Sequence, residues 1–242
     1  MVNMLRYQYK SNSRVLLGFL LVFAILQTLF LLNVNVFRVF PLTLDQQEVA
    51  SWSLAVATFA FLTFLLFIQA MVAFNRMISN PLLRLTPVSG VMYVSAHLLF
   101  WTLVAVVFSV VGFAFQYLFY IFSPHQSVIA EMFQRTEFYL PEGLIAFVYF
   151  LVGVYGTAIE LFFIITLTKA LFKKARGIIG IILFFILTSA MGWMDSKLQN
   201  ILPGEGFFTV YGLHLGSMIF TIICTILLLW GTVYLIEKRI EN

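Results

Sequence analysis

Charge is what this sequence has least of. Only 10% of its 242 residues are Asp, Glu, Lys or Arg, against about 25% in an ordinary soluble domain. Cysteine is nearly missing too: the lone Cys224 excludes an intrachain disulfide and reads as a small apolar side chain facing lipid or a neighbouring helix. Motifs of catalysis are absent. No GxxxxGK[ST] loop occurs, so the chain should not hydrolyse ATP itself, and no HExxH pair offers a zinc site. His97, His125 and His214 fall on different elements without a carboxylate at ligand spacing, so no metal site is expected. There is no GxSxG nucleophile elbow and no adjacent acidic pair of the kind a membrane protease uses.

What is present is apolar length. Six runs, at about 15–37, 53–74, 92–120, 144–168, 177–193 and 207–236, hold most of the residues, and the composition is 62% hydrophobic. A helix needs about 20 apolar residues to cross a hydrocarbon core of about 30 Å. Five runs reach that length and the fifth is short. Backbone polar groups in hydrocarbon must be satisfied within the segment, which leaves helix as the expected state. The sequence therefore predicts an all-α integral membrane protein with six transmembrane helices, forming one membrane domain over 1–242. The longest gap, 121–143, is too small for a soluble domain. The basic opening stretch, with Arg6, Lys10 and Arg14, has the flavour of a signal peptide. Its apolar run is too long, and no small-residue cleavage site follows, so a retained first span is expected.

The few charges are sorted by side. With both termini on one face, that face carries Arg6, Lys10, Arg14, Arg76, Arg84, Lys169, Lys173, Lys174, Arg176, Lys238 and Arg239, which is 11 of the 14 basic residues. The other face keeps Arg38, Arg135, Lys197 and most of the acids. The positive-inside rule assigns the basic face, and so both termini, to the cytoplasm. Basic residues beside anionic lipid headgroups account for the net charge of +4 without a nucleic-acid partner.

Three connections carry further expectations. Residues 1–14 mix aromatic and basic side chains and read as an interfacial lead-in. Between spans two and three, in 75–91, Asn80 can cap a short helix that begins at Pro81 and is ended by Pro87. Leu82, Leu83 and Leu85 would give it an apolar side and Arg84 a basic one. Such a helix could dock a partner, or the stretch could be a plain interfacial turn. Span five is short and is followed by Asp195, Lys197, Pro203 and Gly204, so 194–206 is expected to stop early at about Trp193 and re-enter from outside.

Polar groups inside the spans need partners. Glu160 and His97 fall at comparable depth in spans four and three, and His214 in the outer part of span six. A carboxylate in hydrocarbon costs at least ~2.5 kcal/mol on the mildest scale. Glu160 should thus line a route or act in a switch, or else make a structural bond to His97, Thr157 or nearby backbone. Gly153, Gly156, Gly212 and Gly216 read as small residues permitting close helix contact.

Arg76, then Leu85-Thr86-Pro87-Val88-Ser89 opening span three, is similar to a signature of small bacterial permease subunits of type-2 ATP-binding-cassette exporters. The Thr168-Lys169-Ala170-Leu171-Phe172 stretch before a basic loop resembles the same group, although Met92, Tyr93 and Val94 stand where many members place a lysine. The resemblance extends over nearly the whole chain as topology. It implies that residues Arg76, Asn80, Pro81, Leu82, Arg84, Leu85 and Pro87 belong to a coupling helix docked on a separate cytoplasmic ATPase, which would bind the ATP and Mg. It implies that 1–14 is an elbow along the inner surface and that a second permease subunit, identical or not, completes the unit in a bacterial plasma membrane. Export of a hydrophobic or amphipathic cargo, a peptide or a lipid, is the function implied. A membrane-embedded enzyme or regulatory protein, and a proton-coupled carrier using Glu160, are the alternatives from other classes.

Overall fold

The computed structural model describes residues 2–33, 44–80, 89–122, 140–172, 174–201, 209–210 and 213–240. Six helices make up nearly all of it: α1 Val2–Leu32, α2 Leu44–Ser79, α3 Gly90–Phe122, α4 Leu140–Leu171, α5 Arg176–Ile201 and α6 Leu215–Leu235. All six are long and apolar enough to cross a membrane. The first four run to about 45–54 Å at 1.5 Å per residue, well beyond the hydrocarbon thickness, so their ends extend into the headgroup layer. A π-helical turn, Ile236–Ile240, follows α6. Among the described residues the strands are two: β1 Thr209–Val210 pairs antiparallel with β2 Leu213–His214.

Three boundaries differ from the sequence expectation. Residues 2–14 form no separate elbow element, because α1 is one helix from Val2 onward. No proline interrupts it, and Asn12, which could break a helix, instead bonds back to the Gln8 carbonyl at 2.9 Å. The fifth helix does not stop at Trp193 but runs on through Asp195 and Lys197 to Ile201. Its polar last turns are held by a Gln199–Asp195 bond of 2.8 Å at helical spacing. Of the expected re-entrant stretch, 202–206 lies outside the described residues. His214 sits in β2, just before α6, and not inside the span.

The chain divides into two compact units. The first, 1–73 with 95–137, contains α1 and most of α2 and α3. Its core gathers Phe23, Leu62, Leu66, Phe100, Trp101 and Phe108. Phe23 is fully buried, with ring centroids of Phe108 at 4.9 Å and Phe59 at 5.9 Å. In lipid, apolar contact alone gives helices little reason to associate, so close packing and interhelical hydrogen bonds must do it. Gln27 donates to the Ala55 carbonyl at 2.9 Å and Asn33 to the Ser51 hydroxyl at 3.0 Å, joining α1 and the residue after it to α2.

The second unit, 74–94 with 138–242, contains the end of α2, the start of α3, and α4 to α6. Here α4 packs chiefly on α6 and also on α5. Gly156 permits the first contact: a β-carbon there would stand 3.2 Å from Thr225 Oγ1 and 3.4 Å from Thr221. Gly153 has open space instead, so the expected small-residue contact holds at only one of that pair. Phe74 stacks on Phe162 with centroids 4.0 Å apart. Between α4 and α5, Ala175 takes a left-handed φ of 56°. That conformation costs an L-residue about 1–2 kcal/mol. It is held in place by Ile179 N–H on its carbonyl at 3.1 Å and by Arg176 Nε donating to the Phe172 carbonyl at 2.6 Å.

Candidate functional site

The chemistry of the second unit concentrates at its basic end, around the two stumps of the connection between α2 and α3. Buried Met77 and Ile78 anchor the last turn of α2. Asn80 N–H closes that turn on the Met77 carbonyl at 3.2 Å. The final carbonyls of a helix lack intrahelical partners and carry the negative end of its dipole. Lys169, from the last turn of α4, brings a cation to that end: its ammonium donates to the Asn75 carbonyl and to the Ser79 hydroxyl. Ser79 in turn donates to the Asn75 carbonyl at 2.9 Å. Arg76 lies in the same turn and is exposed.

The opposite stump has the complementary arrangement. A helix begins with unpaired N–H groups and a positive dipole end, and anions settle there. Ser89 caps α3, its carbonyl accepting from Tyr93 N–H at 3.2 Å and its hydroxyl lying 3.4 Å from Met92 N–H. Glu237, on the π-helical turn after α6, accepts from Gly90 N–H at 2.9 Å. Glycine leaves the most room for this approach. A β-carbon at Gly90 would lie 3.0 Å from the Val233 carbonyl oxygen and 3.2 Å from Glu237 Cγ. The connection is thus fastened at one end to α4 by a cation and at the other to the end of α6 by an anion.

Of the expected docking residues, Arg76 and Asn80 lie in this arrangement. Pro81, Leu82, Arg84, Leu85 and Pro87 lie outside the described residues. His97 and Glu160, the two polar groups that do lie within spans, bond to different partners. His97 is fully buried in the first unit, with Nε2 3.0 Å from the Ala70 carbonyl oxygen, an acceptor that requires the proton on that nitrogen. Glu160 belongs to the second unit. It is 6% exposed and accepts from the Thr188 hydroxyl of α5 at 2.7 Å. Thr157, one expected partner for Glu160, donates instead to the Gly153 carbonyl at 2.9 Å. At the other end of the same unit, Gln199 bonds Ser217 at 2.7 Å and so ties α5 to α6.

Sequence reasoning met Lys169 and Ser89 only within the stretches that carry the resemblance, and gave Gly90 and Glu237 no site role. Two signals pointed to them: Ser89 directly before a helix-opening glycine, and an acid, Glu237, standing on a face otherwise rich in Lys and Arg. Comparison with known protein families, with characterised proteins and with solved structures finds no match.

Proposed function

We propose that this chain is the membrane-spanning permease subunit of an ATP-driven exporter of the type-2 ATP-binding-cassette kind. The observation that supports this reading is the double fastening of the 81–88 connection, by Lys169 to α2 and by Glu237 to α3. A loop with a purely connecting role has no need of two charged anchors drawn from two other helices. A loop that receives force does, because displacement of its stumps is then passed to α4 and α6. On this reading a cytoplasmic ATPase docks on 75–91, binds ATP and Mg, and moves the connection when its nucleotide sites close. A second permease subunit completes the complex. Nucleotide can shift the equilibrium only by binding one conformation more tightly than the other. The apolar walls suit a hydrophobic or amphipathic cargo, a peptide or a lipid, leaving a bacterial cell.

The direct test is co-purification. Tagged chain from detergent extracts is expected to retain a soluble ATPase, and Arg84→Ala with Leu85→Ala is expected to lose it while the chain still inserts. Undiminished capture by that variant would remove the docking assignment.

The runner-up, a proton-coupled carrier, is favoured by one observation, the buried Glu160 carboxyl held by a hydroxyl. Glu160→Gln separates the two. Glutamine still accepts the Thr188 bond but cannot carry a proton, so assembly and nucleotide hydrolysis are expected to be unchanged in the exporter. Transport that follows a pH gradient and vanishes with Glu160→Gln would establish the carrier instead.

A further inference from the structure

The first unit contains a groove of about 930 Å³ between α1 and α3, with Leu66 of α2 lining it. Its α1 wall begins with Val2 and Leu5, continues with Arg6, Tyr9, Ser13 and Arg14, and then with Leu16, Leu17 and Leu20, so a basic and hydroxylic band gives way to an apolar one. Leu103, Val104 and Val107 form the facing wall. The groove is open at the side, since Tyr9, Leu17 and Leu103 are each more than half exposed.

The depth of Arg14 gives this groove its meaning. Phe23 packs against Phe59 and Phe108, which fixes the three helices in register. Arg14 stands nine positions before Phe23. Counting nine back from Phe108 on α3, and nine on from Phe59 on the antiparallel α2, reaches Leu99 and Ile68, inside the apolar runs of both helices. The groove agrees, because Arg14 shares it with Leu66 and Phe100. An arginine at hydrocarbon depth needs an anion or a route to the headgroup layer. The chain offers it little: no acidic residue precedes Asp45, and among the described residues no carboxylate pairs with Arg6 or Arg14. Helical side chains tilt toward the N-terminus, so Arg14 leans toward Ser13, Tyr9 and Arg6. These residues line about 12 Å of the helix axis, at 1.5 Å per residue.

We infer that this groove is a binding site for one anionic phospholipid. The phosphate sits among Arg6, Tyr9, Ser13 and Arg14, and an acyl chain lies between Leu17, Leu20 and Val104. Charge complementarity selects the occupant. The two cations favour a headgroup that keeps a net negative charge, and the apolar walls continue where its chain must go. The charge pattern of the whole sequence places the site in the cytoplasmic leaflet, where anionic lipid is a source of the ligand. The site shares no residue with the 75–91 connection and does not depend on the exporter reading.

Native mass spectrometry of the full-length protein tests it, with palmitoyl-oleoyl phosphatidylglycerol and the phosphatidylcholine of identical chains as probes. Phosphatidylglycerol is expected to be retained about thirtyfold better, a factor of about five for each arginine. Arg6→Gln with Arg14→Gln should erase that preference, whereas Arg6→Lys with Arg14→Lys should keep most of it. Val104→Trp should lower retention of both lipids by filling the groove. Equal retention of the two lipids by the native chain overturns the inference, and so does an undiminished preference in a folded Arg6→Gln, Arg14→Gln protein. If that variant does not fold, the comparison of headgroups on the native chain and on Val104→Trp decides alone. A second copy of the chain is the competing occupant. Leu17→Cys in a Cys224→Ser background, cross-linking efficiently between two chains in phosphatidylglycerol vesicles, would assign the groove to that copy and overturn the lipid site.

Discussion

If the exporter reading holds, Lys169→Met combined with Glu237→Gln is expected to leave the proposed ATPase bound and hydrolysing while the membrane helices stop responding to it. Each substitution removes the charge and keeps the approximate bulk, so the spans should still insert and pack. What disappears is the cation on the Asn75 carbonyl and Ser79 hydroxyl, and the anion on Gly90 N–H. Hydrogen bonds with one charged member are worth about 1.5–3 kcal/mol when shielded. The Lys169 pair is exposed and deserves the lower end of that range or less. Coupling energies between sites are typically about 1–3 kcal/mol, a factor of about 5–150, so losing both anchors can remove most of the transmission. Cys224 supplies the readout, because it is the single thiol and lies in α6, the helix that leads into Glu237. In the proposed complex, nucleotide should change its labelling by a membrane-permeant maleimide at least about fivefold, the lower limit of such coupling. In the double variant that change should vanish, with pull-down intact. Arg84→Ala with Leu85→Ala should give the converse, lost pull-down. A nucleotide response that persists without both charged anchors would show that force does not travel through them.

Gly112→Ala should destabilise the first unit by about 1–3 kcal/mol, the usual cost of overpacking a filled core. A β-carbon at Gly112 would overlap the edge of the Phe59 ring. A flexible side chain could step aside cheaply, but Phe59 is wedged. Phe108 stacks on it at 6.0 Å with the planes 10° apart, and the fully buried Phe23 stands on another side. For a chain of this size each kcal/mol moves the melting temperature by about 2–4 °C, so a loss of about 5 °C in detergent, followed by helical circular dichroism, is the expected result. Phe59→Leu should give back part of that loss in the double variant, since contacting residues do not behave additively. Melting at the native temperature would mean that the α2–α3 contact is looser than these ring positions indicate.

The architecture was largely readable from the chain because one physical demand dominates it. Hydrocarbon forces each long apolar run into a helix, and six runs became six helices. Helix ends were harder. Asp195 and Lys197 marked the end of span five on hydropathy, but hydropathy says where a helix leaves lipid and not where it stops. Gln199 carries the helix on by bonding Asp195 at helical spacing. For His214 the apolar run 207–236 hid a short strand pair ahead of α6. The site was legible only in part. Asn80 was singled out by the local pattern of caps and prolines, and Arg76 by the resemblance. Lys169 and Glu237 act on carbonyl and amide groups 94 and 147 positions away in sequence. No local pattern encodes that distance. Glu160 was recognised as needing a partner, yet Thr188, 28 residues on and one helix away, had no feature to distinguish it from the other threonines.

The fifth helix has a consequence of its own. None of the most apolar stretch of α5 is buried, and Ile178, Ile182, Phe185 and Trp193 all stand open. Two hydrogen bonds, Thr188 to Glu160 and Gln199 to Ser217, fasten it to α4 and α6. Its apolar run, 177–193, covers about 26 Å at 1.5 Å per residue, a little less than an average hydrocarbon layer of about 30 Å, and the usual response to such a shortfall is local thinning of the bilayer or adjustment of the flanking residues. Bilayer thickness therefore becomes a mechanical input: thicker lipid would strain the placement of α5 and draw the Thr188 hydroxyl along with it. Acyl-chain length and temperature, neither of which touches Glu160, would both be felt at its carboxyl oxygen.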